Sequence, residues 1–172
     1  SHKILAKNTI KAIEDNNKDR RYDLLYAIIP DNGLAANVTK YGNENNIPVI
    51  IDVEDLWPES MEMVMHIPII TNILYHPYRK YAKYAYTHAN GFVGTSDEYR
   101  DKPLEYGADL KLPRKTVYVG SELEVFDRGV DRYSEEITKP DGEFWIIYAG
   151  TLGTSYDIET LVKAAQKLYK DG

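Results

Sequence analysis

The sequence predicts an α/β protein, a Rossmann-like parallel sheet covered by helices. Two observations carry that prediction. Dense apolar runs rich in β-branched residues, at 22–29, 49–53 and 92–94, lack the polar alternation of a half-solvated sheet, which suits strands of a parallel sheet. Between them lie stretches with apolar residues at helical spacing, joined by short links of Gly, Asn and Pro.

In order, 3–16 reads as a helix with Ile4, Leu5, Ile10, Ala12 and Ile13 as its apolar side. Its front edge has no clear cap. Residues 22–29, Tyr-Asp-Leu-Leu-Tyr-Ala-Ile-Ile, read as a strand buried on both faces. Pro30-Asp-Asn-Gly33 ends it, and Asp31 or Asn32 can cap a helix bearing Leu34, Val38 and Tyr41. Gly42 and the Asn-rich turn through Asn46 close that helix.

The next stretch, Pro48-Val-Ile-Ile-Asp-Val-Glu-Asp-Leu-Trp-Pro-Glu-Ser60, organises the chain. Val49, Ile50, Ile51 and Val53 make a strand for the middle of the sheet. Asp52, Glu54 and Asp55 then place three carboxylates at its carboxyl end, and Trp57-Pro58 makes a rigid corner. Open α/β sheets bind ligands outside the carboxyl ends of their strands. The plainer alternative has the acids capping a helix or making ion pairs, with Trp57 filling core.

A short helix or lid is expected over 59–66, broken by Pro68, and a long helix over 69–89, kinked or restarted at Pro77. Asn90-Gly91 opens a third strand, 92–94. Thr95 with Glu98 reads as a capping box for a helix reaching Tyr106, with Gly107 as its left-handed stop. Residues 116–119 read as a fourth strand ended by Gly120-Ser121, and 122–142 as a charged linker. Residues 144–149, Phe-Trp-Ile-Ile-Tyr-Ala, read as a fifth strand, and Gly150-Thr-Leu-Gly-Thr-Ser155 turns it into a helix striped by Ile158, Leu161, Val162, Ala165 and Leu168. One βα unit cannot bury both of its faces. The reading is therefore a partial first domain at 1–121, a linker at 122–142 and the start of a second domain at 143–172, with the chain a fragment of a longer one.

Composition narrows the function. A net charge of −6 argues against general nucleic-acid binding. No cysteine is present, so a disulfide framework and thiolate metal sites are excluded. The four histidines have no ligand spacing, and no metal site is assigned. No apolar run nears the roughly 18 residues that span a bilayer, the opening residues read as polar helix and not as a signal peptide, and a cytoplasmic protein is expected. Fifteen tyrosines against three phenylalanines imply many half-buried rings with a hydroxyl free to reach water or a ligand.

Four of these segments, in order and spacing, resemble the bacterial family-4 glycosyltransferases of the GT-B fold, in the branch that builds capsule, O-antigen and exopolysaccharide. They are 48–60 with its Asp-Leu-Trp-Pro-Glu-Ser run, Phe92-Val-Gly-Thr-Ser96 with Tyr106-Gly107, 115–126, and 145–164. The resemblance implies two Rossmann-like domains facing a cleft and a retaining transfer of sugar. The donor is a nucleotide-diphosphate sugar, taken as substrate with no further cofactor. The acceptor is a glycan, in this branch often lipid-linked, and the resemblance adds peripheral contact with the inner membrane face. It implies Glu54 and Asp55 as catalytic acids, with Asp52, Trp57, Thr95 and Ser96 on the acceptor side of the cleft. On the donor side it implies Gly120, Ser121, Gly150, Thr151, Leu152 and Gly153, and the backbone amides of the 150–155 turn would meet the leaving diphosphate. The alternative for 150–155 is a plain tight turn.

The chain also departs from the family pattern. Glu54 stands where many members have His, Thr151 where they have Arg, Tyr156 where they have Lys, and Gly120-Ser121 where they have Asn-Gly. The family's first strand with its glycine loop, and its late Glu-x7-Glu segment, have no counterpart here. By itself the chain is expected not to transfer sugar. Two further readings stay open: a non-catalytic GT-B-like module that binds a sugar nucleotide or a partner, and a sugar-nucleotide epimerase. For the basic segment 75–88, an ordinary covering helix with a solvated side is preferred over a lipid-binding surface.

Overall fold

A computed structural model describes the backbone of residues 2–64, 68–153 and 156–171. The chain divides into two compact units, residues 1–119 and 120–172.

The first unit is an α/β sheet protein. Its order is α1 (His2–Asp19), β1 (Leu25–Ile29), α2 (Asn32–Glu44), β2 (Val49–Val53), α3 (Glu59–Val64), α4 (Pro68–His88), β3 (Gly91–Gly94), α5 (Asp97–Glu105) and β4 (Arg114–Thr116). The four strands form one all-parallel sheet in the order β1-β2-β3-β4. Parallel neighbours need crossovers, and each crossover here is helical.

The core explains which residues became strands. Leu25, Ala27, Ile29, Val49, Ile51, Val53 and Phe92 form one buried face. Ala35, Ala36, Val38 and Tyr41 of α2 pack on it, as do Ala82, Ala85 and Tyr86 of α4 and Ala89 just after its end. Alanines dominate the α4 face because a helix crossing close to a sheet has no room for longer side chains. From α5 and the turn after it, Tyr99 and Tyr106 join the edge of the core, with Tyr86 meeting Phe92 and Tyr106 edge to face. Gly94 permits the close approach of α5: a Cβ there would lie 2.3 Å from the Arg100 nitrogen.

Several expectations are corrected. The first strand begins at Leu25 and is buried on one face only, since Tyr26 and Ile28 are about half exposed. The helix of 69–89 runs through Pro77 as one element starting at Pro68, where a proline lacking its N–H is tolerated. Thr95 does not cap α5. Ser96 does, its Oγ accepting from the Tyr99 N–H at 3.2 Å. Asp31 caps α2, accepting from Leu34 N at 2.8 Å, and Gly107 takes the left-handed φ of +94° expected after α5. The fourth strand lies at 114–116 and not at 116–119, with Val117 N still reaching the Gly94 carbonyl at 2.9 Å. The expected extension of α3 to residue 66 lies outside the described residues.

The second unit departs further from expectation. The supposed linker contains a helix, α6 (Leu123–Tyr133). Residues 144–149 form no strand. α7 (Ile158–Asp171) follows, and Asp157 caps it by accepting from Thr160 N at 3.1 Å. No residue of α6 is buried, and Leu161, Val162 and Leu168 of α7 are exposed.

Candidate functional site

The carboxyl end of β2 separates its three acids. Strand alternation sends Asp52 away from the Ile51 and Val53 side, into the row of Ile28 and Val93. There the Tyr26 hydroxyl donates to Asp52 Oδ2 at 2.7 Å, while the buried Asp52 Oδ1 has no hydrogen-bond partner among the described residues. Burial first, then the Asp52 hydrogen bond and the charges of Asp52 and Glu54, push the Tyr26 phenol up to about 12. Glu54 is exposed: its backbone N–H donates to the Ile29 carbonyl at 3.2 Å, while its carboxylate makes no hydrogen bond or ion pair among the described residues.

Asp55 is committed to its own turn. Its Oδ1 accepts from the Leu56 N–H and the Ser60 hydroxyl, both at 2.7 Å, and its Oδ2 accepts from the Trp57 indole N–H at 2.9 Å. One carboxylate thus ties Leu56, Trp57 and Ser60 together, which gives the Asp-x-Trp-x-x-Ser spacing a physical reason. The catalytic role expected of Asp55 meets a group whose oxygens already hold three donors. Trp57 does not fill the core, whereas its neighbour Leu56 packs on it.

The sequence reading took Asn32 only as a possible cap and missed its part in this turn. This residue of α2's first turn is almost fully buried. Its Nδ2 donates to the Trp57 carbonyl at 2.9 Å and, more weakly, to the Tyr78 carbonyl at 3.5 Å. It staples the turn to two helices. The one signal available in sequence was an asparagine directly after the capping Asp31, which reads equally well as turn chemistry.

Glu59 was missed too. The Tyr106 hydroxyl donates to its Oε1 at 2.8 Å, and Lys102 Nζ lies 3.2 Å from the same oxygen. Burial and then Glu59 raise the Tyr106 phenol well above the ordinary tyrosine range. Burial works to lower the Lys102 ammonium, but Glu105 and Glu59 outweigh it and the net shift is upward. Glu62 pairs with Arg79 of α4. The short helix α3 is therefore held on one side by α4 and on the other by α5. Thr95 lies beside the β2 terminus, its N–H 3.4 Å from the Val53 carbonyl, and Ser96 is spent as a cap.

In the second unit, Gly120, Ser121 and Gly150–Gly153 are exposed, and Thr154 and Ser155 lie outside the described residues. The Tyr148 hydroxyl donates to the Thr151 carbonyl at 3.0 Å and sits where a Cβ on Gly150 would be, 2.7 Å away. The glycine there makes room for its own tyrosine. The α7 amino end is already served by Asp157, whose carboxyl is held below its usual range by hydrogen bonds to Thr160.

Among the described residues no group of three or more His, Cys, Asp or Glu could hold a metal ion, and no helix is long and apolar enough to cross a membrane. Fold and site together define a parallel α/β protein with an acidic, tryptophan-bearing turn at the end of its second strand. No family model, curated protein or solved structure matches the chain.

Proposed function

We propose that this chain is part of a retaining glycosyltransferase of surface-polysaccharide synthesis, with its first unit on the acceptor side. It moves sugar from a nucleotide-diphosphate sugar to a lipid-linked glycan, with Glu54 as the acid free to act and Asp55 holding the turn. The observation that carries the reading is the 52–60 run itself. It stands at the carboxyl end of an inner parallel strand, where such folds bind ligands, and one carboxylate orders it while another stays exposed. In this reading Gly120, Ser121 and the 150–153 turn face the donor, with backbone amides available to the leaving diphosphate. Helix α4 has no acid in 21 residues and exposes Ile70, Ile73, Leu74, Lys80 and Lys83, which suits peripheral contact with the anionic inner membrane face.

The test is a donor screen on the full-length natural protein, by melting shift and by transfer of labelled sugar. At least one nucleotide-diphosphate sugar is expected to raise Tm and be consumed, and Glu54→Gln to lower kcat by about 100-fold or more. Turnover within about twofold of wild type in both Glu54→Gln and Asp55→Asn would make these acids structural and place the chemistry elsewhere. A second reading, a module that binds without transferring, is favoured by the donor turn, where Thr151 and Tyr156 stand in place of cations and Asp157 occupies the helix end. Donor binding without sugar release in the same screen selects it.

A further inference from the structure

We infer that Trp57 is a preset aromatic platform for one pyranose ring of a neutral saccharide. The inference rests on the sugar-handling reading above but not on transfer.

Trp57 lies outside the buried core cluster. It is only partly buried, it is absent from the side chains packed on the core, and no ring contact involves it among the described residues. A tryptophan serves a fold mainly through buried area, and this one, though mostly covered, stands outside the core cluster and keeps part of its surface in solvent. Yet both polar ends of the residue are fixed. The indole N–H donates to Asp55 and the carbonyl accepts from the buried Asn32. Asp55 is in turn held by Leu56 and Ser60. The following Pro58 is fully buried and anchors the backbone. The ring is thus ordered before any ligand arrives, and a ligand does not have to meet that ordering cost.

The surroundings select the ligand. A pyranose offers an apolar C–H face that stacks on an indole and hydroxyls that donate to carboxylates. Glu54, three residues from Trp57, is exposed and uncommitted. The cations near the turn are engaged, Arg79 with Glu62 and Lys102 with Glu59 and Glu105. A phosphorylated ligand would therefore meet carboxylates without a free cation among these groups, while a neutral sugar would meet acceptors.

Trp57 emission tests this directly in the 172-residue chain. Trp145→Phe removes the only other tryptophan, an exposed one. Titration with methyl pyranosides and short neutral oligosaccharides is expected to shift Trp57 emission saturably, with Kd on the order of 1 mM. Sorbitol, which has the hydroxyls but no ring face, is expected to do nothing. Asp55→Asn should weaken binding by about three- to tenfold, the cost of ordering one side chain on binding. Saturation-transfer NMR of the same sugars supplies a second readout, in which Trp57→Ala and Trp57→Phe are compared at equal melting temperature and the alanine variant is expected to lose the signal. Three results would overturn the inference: no saturable response to any pyranoside, an undiminished NMR signal in Trp57→Ala, or a stronger response to neutral nucleosides than to sugars. Pyranoside binding without donor turnover leaves this inference standing and removes the transferase reading. Donor turnover with a silent Trp57 does the reverse.

Discussion

Val49–Val53 and Phe144–Ala149 are both short apolar runs that end beside a turn, yet one is an inner strand of a sheet and the other forms no strand. Val49, Ile51 and Val53 have no exposed surface, whereas Phe144 is 88% and Ile147 78% exposed. The difference lies in the neighbours. β2 has β1 on one side and β3 on the other, so its N–H and C=O groups are shared with both. Helices α2 and α4 then cover the face it shares with them. Residues 144–149 have no strand to pair with among the described residues. An apolar, β-branched run therefore specifies a strand only where other strands complete its hydrogen bonds and a helix covers its side chains.

The sharpest way to break this comparison is to truncate one residue in each run. Ile51→Ala should cost about 2–5 kcal/mol, because it opens a cavity in a packed core. Ile147→Ala should stay within about 0.5 kcal/mol, because its side chain is already in water. Urea unfolding of the full chain measures both, and equal losses would show that the second run is as well packed as the first. The turns that follow the two runs give the next largest contrast. Asn32→Ala leaves the Trp57 carbonyl without its donor and should cost about 1–3 kcal/mol, whereas Thr151→Ala, at an exposed position, should be close to neutral.

Alkaline pH sharpens the comparison on the first side alone. The Tyr26 phenol titrates at 10.0 in a free chain and at about 12 here. The folded state holds this proton more tightly, so the stability it adds is complete below pH 10.0 and fades as pH rises to about 12. The stability difference between wild type and Tyr26→Phe should therefore shrink across that window. A difference that stays constant from pH 9 to 12 would remove the Tyr26–Asp52 bond from the account. The smallest effect is expected at the exposed α7 pair of Glu159 and Lys163. Lys163→Met should change stability by less than about 0.5 kcal/mol, a difference that shrinks further as salt is added.

Much of the first unit was legible from local chemistry. Asp31 announces α2 because its carboxylate satisfies an otherwise free helical N–H, and Gly107 announces the end of α5 because only glycine takes that φ without strain. Burial of the β2 core residues followed from their type and density. Other features depended on distant partners. Tyr26 and Ile28 read as buried on apolar character alone, and they are half exposed because burial needs a covering element that strand residues cannot specify. Thr95 and Ser96 are both good caps, and only the backbone direction leaving β3 chose Ser96.

The candidate site divides in the same way. The sequence by itself determined that acids, a tryptophan and a serine follow an inner strand, because strand and turn propensities act over a few residues. It could not say which carboxylate was free. That was decided when the turn closed on Asp55 and left Glu54 in solvent. Nor could it bring in Asn32 from 25 residues upstream, or Tyr106 to Glu59 from 47 residues downstream. Those bonds exist because parallel crossovers return the chain to the same edge of the sheet, and hydrogen bonds a few ångströms long cannot be read until that return has been made.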